Sequence, residues 1–221
     1  MSSSHLDAVE IQPRGVHRST IIWLHGLGAD GHDFEPIVKE LGLPDDLGTR
    51  FVFPHAPYRA ITINGGYMMR AWYDIVRLNL NLLPDEVGIS ESRRLLSELI
   101  AREVQHDVNP SRIILAGFSQ GGVIALDTAV HHLDTLGGII ALSTYIAIPE
   151  NIPQATRSLP IFMGHGTQDQ VVPYELGKSS CTLLKAKGYN VEWHSYAIPH
   201  SIYREEITAI RSWLLRQLDE G

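Results

Sequence analysis

Short continuous runs of β-branched and aliphatic residues recur along the chain, each separated from the next by a segment of helical periodicity. Residues 19–24 read Ser-Thr-Ile-Ile-Trp-Leu, and residues 50–53, 112–116, 138–142 and 159–163 have the same character. Strands apolar on both faces belong in a parallel sheet covered by helices. Residues 190–196 alternate and are placed nearer the sheet edge, and residues 6–12 are read as an antiparallel edge strand. The intervening helices are expected from Ser90, taken as an N-cap, to the break at Asn109-Pro110; from Gln120 through Ala129; after Pro173; and over about 203–218. Strand and helix in alternation predict right-handed crossovers and an α/β fold: a mostly parallel central sheet with helices on both faces.

A chain of 221 residues, 44% hydrophobic and 19% charged, suits one domain with a large core. Its formal net charge of −7, without a basic stripe, argues against nucleic-acid binding. Cys181 is the single cysteine, so no disulfide forms within the chain. The first residues lack a basic start and an apolar run, and no stretch is apolar enough to span a membrane. A cytoplasmic location is the expectation by exclusion.

One segment breaks the rhythm. Residues 56–88 carry Gly65, Gly66, Met68, Met69, Trp72, Tyr73, Leu78, Leu80, Leu82 and Leu83 with no sustained helix or strand period. An irregular segment of this length is expected to serve as a lid or substrate-lining loop.

Chemistry concentrates at Gly117-Phe118-Ser119-Gln120-Gly121, a G-x-S-x-G motif directly after a predicted strand and opening a predicted helix. The glycines let strand and helix approach each other, and the serine is left outward at a helix N-terminus that favours negative charge. A serine hydroxyl needs a base, and the base needs an orienting acid. With the order Ser, acid, His, the candidates after strand ends are Asp169 and His200. Asp127 and Asp134 are read as solvated carboxylates on or after a helix, His194 as a strand residue, and His131 and His132 as poorly placed bases. His165 can reach the site but precedes the acid. Cys181 lies in a predicted helix and is read as a small buried residue. The oxyanion donors are expected to be the backbone N–H groups of Gln120 and of Leu27, in the glycine-rich loop after the first long strand.

The set Leu24-His25-Gly26-Leu27-Gly28-Ala29-Asp30-Gly31, Trp72-Tyr73-Asp74, Gly117 to Gly122, His165-Gly166 with Asp169, Val171-Val172-Pro173 and His200-Ser201 resembles the phospholipase/carboxylesterase family, which includes acyl-protein thioesterases and bacterial carboxylesterases. The resemblance spans residues 18–216, and the 62–75 stretch looks more like the bacterial branch. It implies the α/β-hydrolase fold, a Ser119–Asp169–His200 triad, oxyanion donors at Leu27 and Gln120, no metal or other cofactor, and ester or acyl-thioester substrates, an acylated protein among them. Homodimers occur in the family. Met69, Trp72, Tyr73, Leu78 and Val172 are the candidate substrate-binding residues. Ala60, where the family usually has proline, and Ile198, where it often has methionine, bear on the acyl pocket rather than the chemistry. The expected activity is that of a carboxylesterase for short- to medium-chain esters, with thioesterase or lysophospholipase activity as the alternative. A catalytically dead binding protein and a lyase are the rivals.

Overall fold

The computed structural model describes residues 6–76 and 84–219. Its elements, in chain order, are β1 (Ala8–Ile11), β2 (Ser19–Leu24), α1 (Ile37–Leu41), β3 (Thr49–Pro54), β4 (Tyr58–Ile61), β5 (Tyr67–Arg70), α2 (Glu86–Gln105), β6 (Ile113–Phe118), α3 (Gln120–His131), β7 (Gly138–Leu142), β8 (Pro160–Gly166), α4 (Tyr174–Ala186), β9 (Asn190–Tyr196) and α5 (Arg204–Asp219). Among the described residues the main sheet has seven strands in the order β1-β3-β2-β6-β7-β8-β9. All its pairings are parallel except that of β1, which runs antiparallel along β3 with Val9 opposite Phe53. The early edge strand and the edge position of β9 are as the sequence pattern predicts.

Period-two alternation sends side chains to two separate cores. Ile22, Leu24, Leu115, Ala141 and Met163 meet Leu96, Leu99 and Ile100 of α2, Ile124 of α3 and Leu184 of α4. Ile21, Trp23, Phe53, Ala116, Ile140 and Phe162 meet Leu41 of α1 and Ile210, Trp213 and Leu214 of α5. The sheet is thus covered on both faces, and its parallel strands deliver their following loops to one edge, where ligands of open α/β sheets bind.

The structure corrects several details. Helix α2 starts at Glu86, not after Ser90: Asp85 is the N-cap, its carboxylate accepting from the Gly88 N–H. That helix ends at Gln105, and Asn109-Pro110 instead opens a separate 3-10 turn. The 56–88 segment is not wholly irregular. It holds the β4–β5 hairpin, with Arg59 opposite Met69, and the first residues of α2. Leu78, Leu80, Leu82 and Leu83 lie outside the described residues. Asp127 is not a solvated carboxylate: it is buried, 3.1 Å from the Arg93 guanidinium, and burial raises its pKa against the pull of that charge.

Candidate active site

The loop edge of the sheet gathers the sequence candidates. Ser119 sits between β6 and α3 at φ 53° and ψ −119°, a strained turn for a residue with a side chain. Two glycines make the turn sterically feasible. A Cβ on Gly117 would come within 2.4 Å of the Gly121 backbone, and one on Gly121 within 2.5 Å of the Leu24 carbonyl. The Ser119 N–H donates to the Leu142 carbonyl at 2.9 Å, and the Ser119 carbonyl accepts from Thr144 Oγ1 at 2.7 Å.

His200 and Asp169 are brought together, with Nδ1 2.7 Å from Oδ2. A carboxylate only accepts, so Nδ1 carries the proton in this contact and Nε2 is the ring nitrogen left facing away from Asp169. Asp169 Oδ1 accepts from the Val171 and Val172 N–H groups, each at 2.9 Å. Burial pushes the Asp169 carboxyl up, but His165, His200 and the Val172 N–H outweigh it and hold it well below the usual carboxylate range. The acid is therefore ionised at neutral pH. The His200 ring lies against Phe118, centroids 4.7 Å apart, one residue before Ser119. Among the described residues no hydrogen bond joins Ser119 Oγ to His200; such bonds often tighten only when substrate binds.

The 25–28 loop faces the same turn: a Cβ on Gly26 would lie 3.6 Å from Ser119 Cβ. Leu27 is partly exposed there, and Gln120 is the first residue of α3, where an N–H has no carbonyl partner within its own helix. The loop is fixed by His25, whose role the sequence reading did not separate from its neighbours. The Ala56 N–H donates to Nε2 at 3.0 Å, and Nδ1 donates to the Gly26 carbonyl at 2.7 Å. Burial lowers the His25 pKa to about 4, so the ring is neutral. The Gln120 side chain is a second residue whose task went unread. It accepts from the Trp72 N–H at 2.8 Å and donates to the Tyr73 carbonyl at 2.7 Å.

The remaining candidates are placed as follows. Met69 puts its sulfur 3.7 Å from a Cβ built on Gly28, beside the 25–28 loop. Trp72 is fully buried, its indole N–H donating to the His25 carbonyl. Tyr73 is buried with its hydroxyl 3.3 Å from that of Tyr145. Val172 is buried behind Asp169. His165, set aside on sequence order, lies with Nε2 3.4 Å from Asp169 Oδ2. His194 pairs with Glu192 on β9, and His131 is bound to the carbonyls of Asp127 and Asn151, so neither is available as the base. Cys181 is buried in α4.

A mostly parallel sheet with an outward serine on a strained strand–helix turn, and a histidine–carboxylate pair on later loops, defines an α/β-hydrolase-type serine hydrolase. The chain belongs to the phospholipase/carboxylesterase family, whose pattern it matches over residues 6–217. It is 37% identical over 222 residues to acyl-protein thioesterase 1 of Yarrowia lipolytica, covering 96% of this chain and 98% of that one. It is 33% identical over 208 residues to carboxylesterase SOBER1 of Arabidopsis thaliana, covering 91% of each. The crystal structure of SOBER1 superposes with a TM-score of 0.84 at 32% identity, covering 91% of this chain and 99% of that one. Zea mays acyl-protein thioesterase 2 superposes with a TM-score of 0.85 at 27% identity, covering 97% and 100%. The protein is accordingly a serine hydrolase acting on carboxylic esters or thioesters. Among the described residues no helix is long and apolar enough to cross a membrane.

Proposed function

We propose that this chain is a carboxylesterase that cleaves short- to medium-chain esters through an acyl-Ser119 intermediate. The observation that carries the reading is the Asp169–His200 hydrogen bond of 2.7 Å beside the strained serine turn. His200 Nε2 takes the Ser119 proton as Oγ attacks the carbonyl, and the tetrahedral oxyanion rests on the Leu27 and Gln120 N–H groups. His200 then returns the proton to the leaving alcohol, and a water activated by the same nitrogen releases the acid. Asp169 holds the tautomer and steadies the imidazolium.

Met69, Trp72, Tyr73 and Val172 are assigned to the substrate side of this centre. Met69 contributes sulfur at the 25–28 loop, while Trp72, Tyr73 and Val172, all buried, support the loops around it. A cavity of about 750 Å³ beside the Tyr73–Tyr145 contact mixes Tyr145, Ile146, Leu176 and Leu183 with Glu86 and Glu150 and is not lined by Ser119, Asp169 or His200, so the acyl length rests on the kinetic test below. Acyl-thioester hydrolysis, with an acylated protein as one source of substrate, is the second reading. The names of the fungal and plant relatives favour it.

The test measures p-nitrophenyl esters of increasing chain length beside an acyl-thioester. Ser119→Ala is expected to lower kcat by several orders of magnitude, on the order of 10⁶ in the comparable protease case. Near-normal hydrolysis by that variant sinks the scheme. Turnover of the thioester well above every oxygen ester reverses the order of the two readings.

A further inference from the structure

His165, next to last in β8, stands in a place the acyl-transfer scheme leaves unused. Its ring is 1% exposed, stacked 6.2 Å from Trp193 of β9 and edge-on to Tyr174 of α4 at 6.0 Å. Helix α4 presents Gly177 to it, where a Cβ would fall 2.3 Å from Nδ1. The ring's other nitrogen, Nε2, lies 2.9 Å from the Val172 carbonyl oxygen and 3.4 Å from Asp169 Oδ2. Both oxygens only accept, so Nε2 carries the proton. That Asp169 oxygen is the one that also receives the His200 Nδ1–H. The two hydrogen bonds from Val171 and Val172 to Oδ1 close the 169–172 turn from the other side.

Resting on the triad reading above, we propose that His165 is a positioning residue for the acid. Through the Val172 carbonyl it braces the turn that carries Asp169, and its Nε2–H dipole, 3.4 Å from Oδ2, adds positive potential beside the carboxylate that binds His200. The ring is packed too tightly to swing away, so the Asp169–His200 pair meets a fixed N–H dipole beside it. The titratable and charged groups around the pair are His165 on β8, Tyr174 and Lys178 on α4, and His200 after β9; Lys178 stands over the Trp193 ring at 5.2 Å. Removing a positive dipole from beside a carboxylate raises the proton affinity of the coupled pair, whichever member takes the proton.

The experiment compares pH profiles of kcat and KM for wild type, His165→Leu and His165→Gln. His165→Leu is expected to lower kcat on the order of 10–100-fold, less than loss of the acid itself, with KM kept. Its acid limb in kcat/KM moves to higher pH. Glutamine, whose amide N–H can reach the Val172 carbonyl, restores most of kcat and returns the limb. An unmoved limb, or a glutamine variant no better than leucine, overturns the assignment. A fold-independent check is ¹⁵N NMR of the wild-type ring: the Nε2–H tautomer is expected, and Nδ1–H overturns it even if the leucine variant fails to fold. Ser119→Ala, run in parallel, separates the two claims. Its retained activity sinks the triad, whereas its inactivity beside an unmoved His165→Leu profile sinks this inference alone.

Discussion

At φ 53° Ser119 holds a conformation that costs a residue with a side chain about 1–3 kcal/mol, and its neighbours are arranged to impose it. Gln120 is the most informative of them. Its side chain satisfies two buried backbone groups of the Trp72–Tyr73 segment at 2.8 and 2.7 Å while its own N–H is assigned to the oxyanion. Gln120→Ala keeps that N–H but orphans both backbone groups, each at a cost of about 1–3 kcal/mol. The expected outcome is a clear fall in Tm with a smaller loss of kcat than Ser119→Ala, measured by thermal melting beside ester hydrolysis; an unchanged Tm would show that the tether is idle. The meeting of Asp169 and His200 beside the Ser119 turn was legible because serine, acid and histidine, in that order after strand ends, is the pattern the proposed chemistry requires. His25 and the Gln120 side chain were not, because bonds from a side chain to distant backbone leave no spacing to read. Asp127 was misread for a related reason: only the fold brings Arg93 of another helix to it.

Elements with strong periodicity were found from the sequence, and their ends were lost where a single cap decides them. Ser90 reads as a start because serine is a common N-cap and Glu91 falls in the first turn, but Asp85 has the geometry to bind the Gly88 N–H and also the Asp74 N–H at 2.8 Å. The β4–β5 hairpin escaped because Thr62 to Gly66 separates two strands of only four residues each. Helix α5 hides a titration as well. Its first-turn Glu206 is buried, with Oε1 where a Cβ on Gly164 would stand and, among the described residues, without a hydrogen-bond partner. Burial raises its pKa to about 8 from the ordinary 4.5, against the opposing pull of the Tyr203 N–H. The folded chain therefore holds a proton that the unfolded chain releases over that interval. Its contribution is full below pH ~4.5 and is lost as pH rises toward ~8. Glu206→Gln, neutral at every pH, is expected to lie near wild type in Tm at pH 5 and above it at pH 9. Parallel Tm curves from pH 5 to 9 would show that the carboxyl is not protonated in the folded state.

Across the whole molecule, the proposed site and a buried ionic cluster lie at opposite ends of the strands. The site residues follow strand ends, whereas Thr20 and Arg50 stand at the second positions of β2 and β3. There fully buried Glu103 of α2 accepts from Thr20 Oγ1 at 2.9 Å and lies 3.5 Å from Arg50 and 3.3 Å from Arg102. Both arginines also reach Glu10 of β1, so the cluster joins β1, β2, β3 and α2. Removing one member of a buried ionic cluster costs about 3–5 kcal/mol; here the lower figure applies, because Glu10 still balances part of the charge left behind. For a chain of this length about 3 kcal/mol corresponds to a Tm drop on the order of 10 °C. Remote sites act independently, so Glu103→Ala is expected to keep kcat and KM within about twofold at temperatures well below its melting. Melting curves and ester kinetics on the same preparation decide it. A large change in kcat without a change in Tm would mean that the base of the sheet communicates with its loop edge, which two rigid cores and continuous parallel strands give no reason to expect.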